Sequence, residues 1–319
     1  MLLPNKPLRL FPAALICLCA TAQQPPETVF RSDTRLVVLH ATVVDGGGRL
    51  LTNLGREAFT VAENGVPQAL KVFRREDVPV SLGLVIDNSG SMRDKRQKVE
   101  SASLALVKAS NSRDEVFLVN FNDEAYLDVE FTGDIKKLEE GLTKIDSRGG
   151  TAMRDAISMS IDYVKEKGKR DKKVLLVVTD GNDNTSAVSL EKLVQKAQQA
   201  EVLLYAIGLL SEEEDRREAR RARRALDVLT VASGGLVHYP KDTSQVDKIA
   251  LQVAHEIRNQ YVLGYSPAVQ TLDGSYRQIK VSVKGPGRPV ARTRSGYYAT
   301  PDQGSTPAAP APAASFQKQ

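Results

Sequence analysis

The chain is 319 residues long, 41% hydrophobic and 26% charged. That is the make-up of about two soluble globular domains, and it excludes a polytopic membrane protein, a collagen-like repeat and a wholly disordered chain. Its net charge of +5 arises from 44 basic against 39 acidic side chains spread along the sequence; no long basic block with interleaved aromatics invites nucleic acid, and two cysteines cannot build a disulfide framework.

At the N-terminus, Lys6 and Arg9 precede an apolar stretch from Leu10 to about Ala20, followed by the small–x–small run Ala20-Thr21-Ala22. Residues 1–22 therefore read as a cleaved export signal, and the apolar stretch, interrupted by Pro12, is too short to span a bilayer. This predicts an exported protein, periplasmic or secreted to the cell surface, with no membrane span in the mature chain. Cys17 and Cys19 both fall inside the signal, after bulky Ile16 and Leu18 rather than the small residue a lipid acceptor needs. The mature chain thus has no thiol, hence no disulfide, thiolate metal site or cysteine nucleophile.

Residues 23–34 form a polar, Pro-containing leader. Over 35–76, runs such as LVVLHATVVD and FTVAENGVPQALKVF predict three or four strands, with Asn64-Gly65 as a hairpin turn. The period then changes. Residues 80–87, 115–121, 173–180 and 201–207 are near-continuous apolar runs, as buried parallel strands require. Amphipathic stretches at about 95–110, 134–145, 152–166 and 189–200 separate them, with two more near 213–232 and 243–259. This alternation over 78–259 predicts an α/β domain with a doubly wound, Rossmann-like, mostly parallel sheet. Strand character returns over 260–299. Each flank alone has too few strands for a stable sandwich, so the segments 35–76 and 260–299 are expected to pair into one small β-sandwich-like domain, two separate β modules being the alternative. Residues 300–319 are Pro/Ala-rich and aperiodic.

The sharpest chemistry lies in Asp87-Asn88-Ser89-Gly90-Ser91, directly after the strand VSLGLVI. In open parallel sheets, sites form beyond the carboxyl ends of strands. Thr151, after Gly149-Gly150, and Asp180, closing the strand KVLLVVT before Gly181, arrive at the same end. Asp87, Ser89, Ser91, Thr151 and Asp180 all offer oxygen, the donor that hard divalent cations prefer. One such cation is expected, Mg²⁺ first, with Mn²⁺ or Ca²⁺ as alternatives. With only two carboxylates among five ligands it would keep Lewis acidity, which a partner's acidic side chain could satisfy. Taken alone, the D-x-S-x-S turn has a plainer reading, because Asp and Ser are common N-caps.

The series DNSGS, GGT and TDG, with about sixty and then about thirty residues between its elements, resembles the metal-ion-dependent adhesion site of von Willebrand factor type A domains over roughly residues 78–260. The segments ENGVPQALKVF, YVLGYSP and RSGYY resemble those of exported bacterial von Willebrand-A-related proteins first noted in acidobacteria. The resemblance implies that Ser89, Ser91 and Thr151 contact the metal, that Asp87 and Asp180 bind it directly or through water, and that a protein ligand's Asp or Glu completes its coordination.

Catalysis is not expected. His40, His238 and His255 lie in strand-like or helical contexts as packing or surface residues; no G-x-S-x-G elbow or G-x-x-x-x-G-K-[ST] loop occurs. Asp183 is expected to cap its loop and Asp155 to face a helix dipole. The run SEEEDRREARRARR reads as a solvated helix face laced with i,i+4 pairs, with a docking surface as the alternative. The expected function is metal-dependent protein–protein recognition, by adhesion or by scaffolding an envelope assembly. The alternatives are a scaffold with a purely structural metal and a non-catalytic subunit of a Mg²⁺-dependent enzyme complex.

Overall fold

The computed structural model describes residues 35–75, 77–143, 147–181, 183–210 and 216–300. The expected export signal, the leader and the tail beyond Thr300 lie outside the described residues. In chain order, four strands come first: β1 (Val37–Val44), β2 (Phe59–Glu63), β3 (Val66–Gln68) and β4 (Leu70–Arg74). The α/β body follows with β5 (Val80–Asp87), α1 (Arg96–Lys108), β6 (Glu115–Phe121), β7 (Ala125–Thr132), α2 (Ile135–Thr143), α3 (Met153–Lys167) and β8 (Lys172–Thr179). It continues through α4 (Leu190–Ala200), β9 (Leu203–Gly208), α5 (Arg216–Ser233), β10 (Val237–His238) and α6 (Val246–Arg258). The last strands are β11 (Tyr261–Tyr265), β12 (Tyr276–Val283), β13 (Val290–Arg292) and β14 (Gly296–Tyr298).

The body is a six-stranded sheet of order β10-β9-β8-β5-β6-β7. Every residue of β5 is buried, which is why its sequence is a continuous apolar run rather than an alternating one. It pairs in parallel with β6 (Leu84 opposite Leu118) and with β8 (Leu84 opposite Leu176). Leu82, Leu84 and Ile86 face α1, α2 and α6. Val85 faces the opposite layer, where α3, α4 and α5 pack. The sheet is doubly wound, and the burial of its apolar side chains, about 1.5–3 kcal/mol each, outweighs local helix propensity in holding the layers together.

The strand β7 was not among the expected elements. It pairs antiparallel with β6 at the sheet edge, and its sequence AYLDVEFT mixes half-buried with exposed residues and buries none fully. A criterion of continuous apolar runs passes over such an edge strand.

The flanking strands form two four-stranded sheets, β13-β1-β11-β4 and β14-β12-β2-β3. Each contains strands from before and after the α/β body, with Leu39 opposite Leu263 and Val61 opposite Val281. Their shared core holds Leu39, Val61, Tyr261, Leu263, Tyr265 and Tyr297. Within it, the Tyr265 and Tyr297 hydroxyls donate to the buried Glu63 carboxylate at 2.7 and 3.0 Å. The β2–β3 turn has Asn64 at φ 49° and Gly65 at φ 81°, the left-handed pair that a two-residue hairpin demands.

The flanks meet the body where the chain enters β5 and leaves α6. Gln260 donates to Thr42 Oγ1 on β1 at 3.0 Å and to the Tyr205 hydroxyl on β9 at 3.1 Å. This junction is at the amino edge of the parallel strands, opposite the edge at which Asp87 and Asp180 emerge.

Candidate functional site

From β5 the chain passes to β6 on one side and later returns to β8 on the other, so the order of the sheet reverses around β5. Two parallel strands whose connections leave to opposite faces open a crevice at their carboxyl ends. Asp87 ends β5 and Asp180 follows β8 at that crevice. Asp87 and Ser89 are buried, 1% and 2% exposed, whereas Ser91 is exposed at the surface.

Ser89 occupies the position before the 3-10 helix Gly90–Lys95, with extended backbone (φ −62°, ψ 166°) and no side-chain capping bond. Its hydroxyl lies 3.1 Å from the Ser91 hydroxyl instead. The N-cap explanation of this motif therefore fails for Ser89. The Asp87 Oδ1 accepts the Ser89 N–H at 2.8 Å, and its Oδ2 accepts the Thr179 hydroxyl at 2.5 Å. Burial, then the charge of Asp180 beside it, push the Asp87 carboxyl up to about 6, against the lowering effect of those hydrogen bonds. The Asp180 Oδ2 lies 3.4 Å from the Lys95 ammonium, while its Oδ1 is buried without a hydrogen-bond partner among the described residues.

Thr151 reaches the same crevice on a loop tied at both ends. Gly90 N–H donates to Gly149 carbonyl at 3.2 Å and Arg148 N–H to Asn88 carbonyl at 2.9 Å, joining this loop to the first. Thr151 N–H donates to the Asn184 side chain at 2.9 Å, and Asn184 N–H returns to Thr151 carbonyl at 3.1 Å, joining it to the loop after β8. Thr151 is buried, one residue before the N-cap position of α3, which Ala152 fills. Gly149 has φ 79°, a left-handed backbone that favours glycine, and its Cα faces the Asp123 carboxylate.

Several participants escaped the sequence reading. Thr179 orients Asp87 and accepts the Gly181 N–H at 2.8 Å. Lys95 stands 3.4 Å from Asp180, and Asp123 accepts the Gly150 N–H at 2.7 Å. Asn88 donates to Asn120 at 2.8 Å, which donates to Asp128 at 2.7 Å, fixing the loop from beneath. Only for Asp123, just past a strand end, did the sequence hold a positional signal. Asp183 accepts the Arg154 N–H at 2.8 Å and its guanidinium at 3.1 Å, so it caps α3. Asp155 accepts the Ala187 and Val188 N–H groups, both at 2.9 Å. The histidines lie elsewhere: His40 is buried in β1, with its pKa lowered to about 3 by burial and by the nearby charges of Lys172 and Arg294. His238 lies 3.5 Å from Glu256, and His255 contacts Asn259 at 3.2 Å.

Among the described residues, no group of three or more His, Cys, Asp or Glu side chains gathers in a metal-holding cluster. A cation at this crevice would rest on hydroxyls and two carboxylates. Among the described residues, no helix is long and apolar enough to cross a membrane.

The family model of the von Willebrand factor type A domain matches residues 82–182, the stretch that carries all five oxygen-bearing positions. The chain is 26% identical over 173 residues to calcium-activated chloride channel regulator 1 of Mus musculus, a match covering 51% of this chain and 17% of that protein. It is 36% identical over 80 residues to integrin alpha-11 of Homo sapiens, covering 24% of this chain and 7% of that one. It therefore spans less than a fifth of either relative. Among solved structures, a von Willebrand factor type A protein from Catenulispora acidiphila superposes with a TM-score of 0.49 at 13% identity, covering 85% of this chain and 75% of that one.

Proposed function

We propose that this chain, whose residues 82–182 match the von Willebrand factor type A domain model, is an exported binding protein recognising a protein partner through a divalent cation. The observation that carries this reading is the pairing of two acidic groups at one crevice. Asp180 keeps a buried carboxylate oxygen with no partner among the described residues, and Asp87, beside it, is buried and resists ionisation. A dication relieves both, and the donor set, all oxygen, fits a hard one, with Mg²⁺ first and Mn²⁺ or Ca²⁺ next.

Asp87, Ser89, Ser91, Thr151 and Asp180 would hold the cation. When bound, it supplies a Lewis-acidic position for an Asp or Glu carboxylate of the partner. The chain's own residues do the rest. Thr179 and the Ser89 N–H orient Asp87. The Asn184–Thr151 bonds and the Gly149–Gly90 bond hold the three loops at fixed spacing. The apolar sheet beneath keeps the pair of acids in a poorly solvated place, where charge interactions are strongest. The roles that follow are adhesion or the scaffolding of an envelope assembly, outside the cytoplasm if residues 1–22 direct export.

The test is thermal unfolding in chelator and in Mg²⁺, Mn²⁺ or Ca²⁺, for the native chain and for Asp87→Ala. A ligand that binds only the folded state adds about 2.7 kcal/mol at a hundred times its dissociation constant. The native chain should melt higher with metal and Asp87→Ala should not. Identical melting of the native chain in chelator and in all three cations would overturn the reading.

A further inference from the structure

We infer that the partner is an acidic polypeptide segment, and that the arginine face of α5 beside the crevice binds its further carboxylates. This rests on the reading of the crevice as carboxylate-accepting and names the partner's chemistry. The helix α5 follows β9, so its first turns stand at the carboxyl edge of the sheet, where Asp180 emerges. Its inward side chain Ala222 is buried, and a Cβ added at Gly181 would lie 2.6 Å from the Ala222 Cβ. Ala222, within the arginine run, thus packs directly on the residue that follows Asp180.

Between Arg216 and Arg224 the helix carries six arginines and a single acid, Glu218. At 100° per residue, Arg216, Arg220, Arg221, Arg223 and Arg224 all fall on the side away from Ala222, and all are exposed. Arg223 is committed, its guanidinium 3.9 Å from the Tyr239 ring centre. Arg216, Arg220, Arg221 and Arg224 make no ion pair among the described residues, while Arg217 and Glu218 have partners; the other four acids of the run, at 212–215, lie outside the described residues. Like charges at i and i+4, as at Arg216, Arg220 and Arg224, oppose the helix slightly, and an anionic partner reverses that effect. Guanidinium forks match carboxylates in two parallel hydrogen bonds.

Charge across the crevice favours a polypeptide over a nucleic acid. On the far side, Asp123 and Glu124 are exposed in the β6–β7 loop, and Asp94 is exposed beside the first loop. A duplex with uniformly spaced phosphates would meet repulsion there, whereas an acidic segment can place one carboxylate in the crevice and its neighbours on α5 alone.

The experiment measures binding of a labelled oligo-glutamate peptide to the full chain in Mg²⁺ and in chelator, with duplex DNA as a competitor. The native chain is compared with the triple variant Arg220→Gln, Arg221→Gln, Arg224→Gln. These side chains are exposed, and a melting curve in Mg²⁺ verifies that the variant folds and still responds to metal. The expected result is peptide binding weakened about tenfold by the triple variant, with metal-dependent melting unchanged. No binding of the peptide by the native chain, equal binding by the variant, or DNA competing more strongly than free peptide would overturn the inference. If the variant weakens binding and chelator does not, the acidic partner stands and the metal reading of the crevice falls.

Discussion

Thr179 supplies none of the five proposed ligand oxygens, yet it fixes one of them. The register that pairs Ile86 with Val178 brings the next residues, Asp87 and Thr179, side by side across β5 and β8. The Thr179 hydroxyl then donates to Asp87 at 2.5 Å while accepting the Gly181 N–H at 2.8 Å. Valine keeps the shape and removes both bonds, leaving a buried N–H and a buried carboxylate oxygen without partners. Thr179→Val should therefore cost about 1–3 kcal/mol of stability and weaken Mg²⁺ binding about ten- to a hundredfold, with Thr179→Ser restoring most of it. Calorimetric titration with Mg²⁺ reads the second effect; an unchanged affinity in Thr179→Val would show that Asp87 needs no such support. The five candidate oxygens were legible because spacing and strand ends announce them. Thr179 was not, since it closes an apolar run and only the strand register reveals what its hydroxyl meets.

At the scale of elements, β5 is the strand on which the crevice depends, and its tightest point is Gly83. It stands opposite Phe117 of β6 and Leu175 of β8 in the two ladders. A Cβ at Gly83 would lie 2.3 Å from the Phe117 ring and 2.5 Å from a Leu175 methyl. Gly83→Ala should destabilise the chain by about 1–3 kcal/mol through overpacking, read as a lower urea midpoint, and Phe117→Leu in the same chain should return part of the loss. Additive destabilisation by the two changes would argue that the sheet, not the ring, is displaced. The parallel strands were legible because a strand buried on both faces must be apolar throughout. The edge strand β7 was not, because its outward Asp128 and Glu130 break the apolar run. Lys95 escaped for a related reason: its place beside Asp180 comes from the 3-10 turn Gly90–Lys95, and a reading that expected helix from about residue 95 gives no sign of it.

At the scale of the whole molecule, the junction between the β flanks and the α/β body holds two buried bases. Lys172 opens β8 and its ammonium donates to the Ile257 carbonyl near the end of α6. Burial, with Arg258 nearby, lowers its pKa to about 7 even though Asp77 and Asp114 pull the other way. His40, on β1, is lowered to about 3 by burial first and by Lys172 next. Both groups are bases depressed by folding, so the unfolded chain holds more protons than the native one from about pH 3 to 6.5 for His40 and from about 7 to 10.5 for Lys172. Stability must rise with pH across each window, and a single such group contributes a slope of up to about 1.4 kcal/mol per pH unit. Lys172→Met keeps the buried stem and removes the titration. Urea unfolding at pH 7, 8 and 9 should therefore show stability climbing for the native chain, and climbing less steeply for the variant. The gap between the two narrows as pH rises, because the native chain sheds at high pH the proton that folding disfavours. A native chain whose stability relative to Lys172→Met stays constant over that range would mean that Lys172 keeps its ordinary affinity for protons at the junction, through water or counter-charge reaching it, and that this contact between flanks and body is open rather than sealed.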